Sequence, residues 1–208
     1  MIDHPDFTVE PWCLRATNLD LDVLAQTESV FALSNGQIGW RANLDEGEPH
    51  GLPGSYLNGV FEERPLPYAE AGYGYPESGQ TVINVTNGKL IRLLVDDEPF
   101  DIRYGELRAH ERLLDFRAGV LHRTAEWASP AGRTVRLSST RVVSFVQRSV
   151  AAICYEVAAL DGRCGLSCSQ SWWPTSSCHR PAETRGWPRS SRRHYGPKHT
   201  SATTRGWS

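Results

Sequence analysis

Asp45-Glu46, with Glu48 two residues later, places three carboxylates within four positions. Paired carboxylates are the residue types that do general acid–base work, one protonating a leaving group while the other activates a nucleophile. The cluster follows a strand, however, and its expected role is in a turn or at a domain interface. A second group lies in the Gly- and Pro-rich stretch 65–79, where Tyr73, Tyr75 and Glu77 are candidates for sugar contact. Aromatic faces stack on pyranose CH groups, and carboxylates accept hydroxyl protons. The alternative for that loop is a surface role, with its tyrosines packed on their own or a neighbouring domain. Arg41 could meet a phosphate, although pairing with a nearby carboxylate is the commoner fate of such an arginine. His110 and His122 lack metal-ligand spacing, so surface or packing roles are expected. No Ser-His-Asp arrangement, phosphate-cradling glycine loop or metal motif is present, and no cofactor is expected.

The elements that position these residues are strands. From about residue 30 to 160 the dominant period is two, as in Lys89–Val95, where Ile91, Leu93 and Val95 share a face, and in Thr134–Ser138. Val150–Val157 reads as a mostly buried strand. Shorter candidates are Val30–Leu33, Gln37–Asn43, Ser55–Phe61, Thr81–Val85 and Val120–Trp127. Asn35-Gly36 and Asn87-Gly88 favour tight hairpin turns, and Asp96–Pro99 and Ser129–Gly132 supply others. Only Asn18–Gln26 and Gly105–Leu114 suit a short helical turn. The expected class is all-β, a large antiparallel sandwich.

Charge divides the chain. Residues 163–208 hold eight basic residues and one acid, which leaves fourteen basic and twenty-three acidic residues to positions 1–162. The tail contains no Val, Ile, Phe or Met, yet carries four of the seven tryptophans and three of the five cysteines. One cause accounts for the composition and its onset, a reading-frame shift after Gly162. With suitable codons, the segment Arg163–Thr175 reads in the shifted frame as Val-Arg-Val-Val-Val-Gln-Ser-Glu-Leu-Val-Ala-Asn, an alternating strand. The expected organisation is a sandwich domain over 1–162 and an out-of-frame, disordered tail over 163–208. Two sharper readings of the tail are weaker. Cys164, Cys168, Cys178 and His179 do not have the spacing of a common zinc finger. Arginines beside tryptophans suit single-stranded nucleic acid, but explain only part of the composition, so no nucleic-acid partner is expected.

Residues 1–6 show no basic or apolar signal region, and no apolar run approaches the ~20 residues a membrane span needs. With two widely spaced cysteines, Cys13 and Cys154, in the body, the expectation is a reduced, cytoplasmic protein without a membrane partner.

Five motifs in order give a resemblance. Glu28-Ser29-Val30-Phe31-Ala32-Leu33-Ser34-Asn35-Gly36-Gln37-Ile38-Gly39-Trp40-Arg41, followed by Asp45-Glu46, resembles the E-x-x-F-x-x-x-N-G-x-x-G-x-R…D-E signature of glycoside hydrolase family 65. Pro53-Gly54-Ser55-Tyr56 is similar to its P-G-[ST]-Y. Ile83–Asn87 with Asp97–Asp101, Leu114–Arg123 and Arg141–Ser144 match its later motifs in turn. Trp40, Ala42 and Val85-Thr86 depart from the pattern. Glu28, Phe31, Asn35, Gly36, Gly39, Arg41, Glu46, Gly54 and Tyr56 are thus signature positions with an expected structural role.

The resemblance implies an amino-terminal supersandwich of the galactose-mutarotase type, joined in the intact parent to an (α/α)6 barrel that holds the catalytic glutamate. It also implies an α-linked glucose disaccharide (maltose, trehalose or kojibiose) as substrate, cleaved with inversion, and inorganic phosphate as co-substrate in a phosphorylase. A homodimer is possible. The barrel is absent from these 208 residues, so no catalytic residue is expected and the fragment is expected to be inactive. The alternative is a stand-alone carbohydrate-binding or oligomerisation β-domain.

Overall fold

A computed structural model describes residues 7–66, 74 and 76–173, with the side chains of 171–173 left aside. The chain begins with β1 (Thr8–Glu10) and β2 (Cys13–Ala16), then the helix α1 (Leu24–Val30). A three-stranded sheet follows, β3 (Leu33–Ser34), β4 (Ile38–Trp40) and β5 (Ser55–Leu57). The ribbon β6 (Phe61–Pro65) and β7 (Ser78–Val82) leads to β8 (Asn87–Val95) and β9 (Glu98–Pro99). The long strands β10 (Glu106–Asp115), β11 (Val120–Ala128), β12 (Thr134–Val143) and β13 (Ala151–Ala159) come next, and then β14 (Leu166–Trp173). All pairings are antiparallel. The main sheet runs β1-β2-β10-β11-β12-β13, and β14-β8-β9 forms a second three-stranded sheet. No helix among the described residues is long and apolar enough to cross a membrane.

The sandwich follows from alternation. On the main sheet, Leu114, Leu121, Ala125, Trp127, Val135, Leu137 and Val143 point inward and are buried. One apolar cluster sets Ala16, Leu114, Leu121 and Val143 against Phe31, Leu33, Ile38 and Ala42 of the first small sheet and its flanks. The other sets Ala125, Trp127, Val135 and Leu137 against Leu93, Val95 and Phe100. Trp127 is fully buried, donates Nε1–H to the Tyr104 carbonyl at 2.6 Å, and lies 5.1 Å from the Phe100 ring centre.

Three local expectations are corrected. Gly105–Leu114 is not helical but forms most of β10, because pairing on both sides with β2 and β11 overrides its weak local preference. Asn87-Gly88 does not turn. Asn87 starts β8, buried, and its Oδ1 accepts the Lys89 amide at 3.1 Å. The tight turn falls instead at Asp96-Asp97, whose φ values of 48° and 71° suit a two-residue hairpin between β8 and β9. Val150–Val157 is not mostly buried, since β13 is an edge strand whose residues alternate between half-buried and exposed.

Pairing also continues past residue 162, where Leu166–Trp173 runs antiparallel to β8 and Cys164 and Cys168 pack on the second apolar cluster. The rest of the tail, with Cys178 and His179, lies outside the described residues.

Candidate functional site

A charged belt lies between the two apolar clusters. Strand register produces it: Arg112 of β10 stands opposite Arg123 of β11, Arg123 opposite Ser139 of β12, and Ser139 opposite Tyr155 of β13. Arg141, two residues beyond Ser139, joins them on the same face. From the facing layer, Ala42–Glu46 runs across the belt, buried throughout, and is fixed by Ala42 N–H to the Glu28 carbonyl and Ile91 N–H to the Asp45 carbonyl, both 2.8 Å.

This segment delivers two carboxylates. Asp45 Oδ1 accepts from Arg141 Nε at 3.0 Å and Nη2 at 2.6 Å. Its Oδ2 accepts from Arg123 Nη1 at 2.9 Å and Ser139 Oγ at 2.8 Å. Arg123 also grips Glu46 through two bonds, Nη1 to Oε2 at 2.6 Å and Nη2 to Oε1 at 2.8 Å. Arg123 Nε–H faces His110 Nε2 at 3.3 Å, which makes that ring nitrogen an acceptor and leaves the proton on Nδ1.

The electrostatics oppose acid–base chemistry. Burial alone would raise the Asp45 pKa, but Arg141 and Arg123 outweigh it and hold the carboxyl well below the usual range. Burial lowers the Arg123 pKa and Glu46 raises it, and the net effect is upward. Burial, then Arg123 and Arg112, push His110 down to about 2, so it is neutral. Burial raises the Tyr155 hydroxyl. A general acid or base works best with a pKa near the operating pH and within reach of substrate. Asp45 meets neither condition, because it is ionised, saturated with donors and fully buried.

Beside the belt, Lys89 Nζ donates to the Gly54 carbonyl at 2.9 Å and Ser55 Oγ at 2.5 Å, and stands 5.7 Å from the Trp40 ring centre. Burial, with Arg141 nearby, pushes its pKa down to about 7. Gly54 is required by close approach, since a Cβ there would lie 2.6 Å from both Arg41 Cδ and the Tyr56 ring.

The signature residues take packing and bracing roles. Glu28 is buried and accepts the Gly51 and Leu52 amides at 3.0 and 2.5 Å. Phe31 is fully buried against an edge of Phe7. Asn35 Nδ2 donates to the Ser144 and Arg148 carbonyls at 2.6 and 2.8 Å, tying the first hairpin to the β12–β13 connection. Gly36, at φ +82°, makes the turn of that hairpin, and Gly39 pairs with Tyr56.

Among the described residues Arg41 pairs with no carboxylate: Nη2 donates to the Ala25 carbonyl at 2.9 Å and Ser29 Oγ at 2.5 Å. Glu48 does not join Asp45 and Glu46 but pairs with Arg103 at 2.8 Å. His122 is exposed with Nδ1 2.9 Å from Thr140 Oγ1, whereas His110 belongs to the belt. Glu77 is exposed, and Tyr73 and Tyr75 lie outside the described residues. Among the described residues no group of three His, Cys, Asp or Glu could hold a metal.

The site-level reading missed Arg112, Arg123, Arg141 and Lys89. Their signal was present as charges at inward positions of alternating strands, Leu121-x-Arg123-x-Ala125-x-Trp127 and Leu137-x-Ser139-x-Arg141-x-Val143. A charge in that phase must have a buried partner.

Comparison with known proteins bears on the family and the fold. The family model for the glycosyl hydrolase family 65 N-terminal domain matches residues 14–205. An uncharacterized glycosyl hydrolase of Mycobacterium tuberculosis is 67% identical over 161 residues, 77% of this chain and 20% of that protein. An alpha,alpha-trehalose phosphorylase of Thermoanaerobacter brockii is 36% identical over 161 residues, 76% of this chain and 21% of that protein. A solved structure assigned as a kojibiose phosphorylase, from the human microbiome, superposes with a TM-score of 0.73 at 25% identity, over 80% of this chain and 22% of that one. The chain thus spans about a fifth of the length of these relatives. The sandwich, its ordered motifs and the family match lead to one assignment: the chain belongs to glycosyl hydrolase family 65, as its N-terminal domain.

Proposed function

We propose that this chain is the non-catalytic structural domain of an inverting phosphorylase or hydrolase acting on an α-linked glucose disaccharide. The observation that carries this reading is the locked state of Asp45 and Glu46. Every oxygen of both carboxylates accepts a hydrogen bond from an arginine or serine inside the sandwich. The cluster that most invites acid–base chemistry is thereby committed to holding two layers together. Phosphorylases of disaccharides among the relatives supply the substrate class. Phosphate would be the co-substrate of the intact parent if it is a phosphorylase, and water its acceptor if it is a hydrolase.

The purified 208-residue chain is expected to release no glucose from maltose, trehalose or kojibiose, with or without inorganic phosphate. A coupled glucose assay against a vector-only preparation checks this. Turnover that co-elutes with the chain, above that control, would overturn the non-catalytic assignment.

A further inference from the structure

Arg112 is the unbalanced member of the belt. Arg112 is 2% exposed, and both Nη1 and Nη2 are buried without a hydrogen-bond partner among the described residues. The two nearest carboxylates are committed elsewhere, Asp45 to Arg141, Arg123 and Ser139, and Glu46 to Arg123. Of the remaining charges nearby, Glu28 accepts two backbone amides and Lys89 bonds to Gly54 and Ser55. His110 is neutral and uncharged Tyr155 closes the row. Burial and the neighbouring Arg123 and Arg141 push the Arg112 pKa down to about 9, which still leaves it charged at neutral pH. The belt therefore sets three arginines against two carboxylates.

A small cavity lies at this point. Arg112, Arg123, Arg141, Ser139, Asn43, Ala42 and Leu121 line it, and it has room for about one water-sized particle. Its walls are mostly carbon, and the unpartnered polar groups among its lining residues are Arg112 Nη1 and Nη2, which suit an anion, and Asn43 Oδ1, which suits a water. The charge decides between the two, because an unpaired buried ion costs far more than an unpaired amide oxygen.

We propose that this cavity binds a single monatomic anion, a halide such as chloride, with Arg112 as its principal partner. The ion supplies the missing negative charge without the volume of a carboxylate. Polyatomic anions such as gluconate are too large to enter.

The test is thermal unfolding of the full 208-residue chain at constant ionic strength, with sodium chloride exchanged for sodium gluconate. The expected result is a saturable rise in midpoint with chloride, on the order of 5–10 °C at a hundredfold excess over the dissociation constant. Bromide should reproduce the rise, and Arg112→Met should abolish it. Chloride-35 NMR on the unmodified chain gives a readout that does not depend on that variant folding. Line broadening that bromide displaces supports the site. A midpoint indifferent to the choice of anion, or chloride lines no broader than in buffer, overturns it and leaves water as the occupant.

Discussion

Replacing Asp45 with Asn is expected to lower the stability of the chain by about 3–5 kcal/mol, the usual cost of breaking a buried ion pair from one side. Asn retains the shape but removes the charge that offsets Arg141 and Arg123, and its NH2 group faces donors on either side, Arg141 at one position or Arg123 and Ser139 at the other. A domain of this size is typically stable by ~5–15 kcal/mol, so the loss takes a large part of the margin. Urea unfolding of the parent and variant chains measures it. Glu126→Gln, at an exposed pair with Arg136 2.6 Å away, is the control and should cost roughly 0–1 kcal/mol. Similar small losses at both positions would mean that Asp45 is not the keystone of the belt.

Acid sensitivity with a particular onset is the second large effect. His110 has its folded pKa depressed, first by burial and then by Arg123 and Arg112. An unfolded imidazole takes up a proton below about 6.5, while the folded one stays neutral. The unfolded state then binds more protons, so the contribution of His110 is full above pH ~6.5 and falls as pH drops toward the folded pKa. The slope is ~1.4 kcal/mol per pH unit, giving about 3 kcal/mol lost by pH 4.5. Asp45 is also depressed, but its contribution is present above the unfolded carboxylate pKa and is lost only below pH ~4. The interval from pH 6.5 to 4.5 therefore reports on His110. His110→Gln, whose amide oxygen can still accept from Arg123, should flatten the urea midpoint over that interval. If the variant keeps the wild-type slope, the titrating group lies elsewhere.

Much of the architecture was legible because a half-buried antiparallel strand writes its pattern directly into the sequence. Leu93 and Val95, Leu121 to Trp127, and Val135 to Leu137 mark their faces by alternation alone. Gly105–Leu114 was misread because Glu106, Arg108, His110, Glu111 and Arg112 obscure that alternation. Two of those polar residues are belt members buried by partners distant in sequence. The turn at Asp96-Asp97 was anticipated in general place, while Asn87-Gly88 was drawn into β8 by pairing with β14. The site was least legible. Asp45-Glu46 stood out as carboxylates, but nothing local says that their partners lie 78 and 96 residues away, at Arg123 and Arg141. Only the register of β10, β11 and β12 brings those arginines into line.

The central claim is that Asp45 acts through Arg141 inside the fold rather than on a substrate. A double-mutant cycle on that pair tests it most directly, with urea unfolding of wild type, Asp45→Asn, Arg141→Met and the double variant. Hydrogen-bonded buried neighbours should not be additive, and the double variant should lose less than the two singles combined, by about 1–3 kcal/mol. Additive losses, within ~0.5 kcal/mol, would contradict the account and reopen the question of what Asp45 is for.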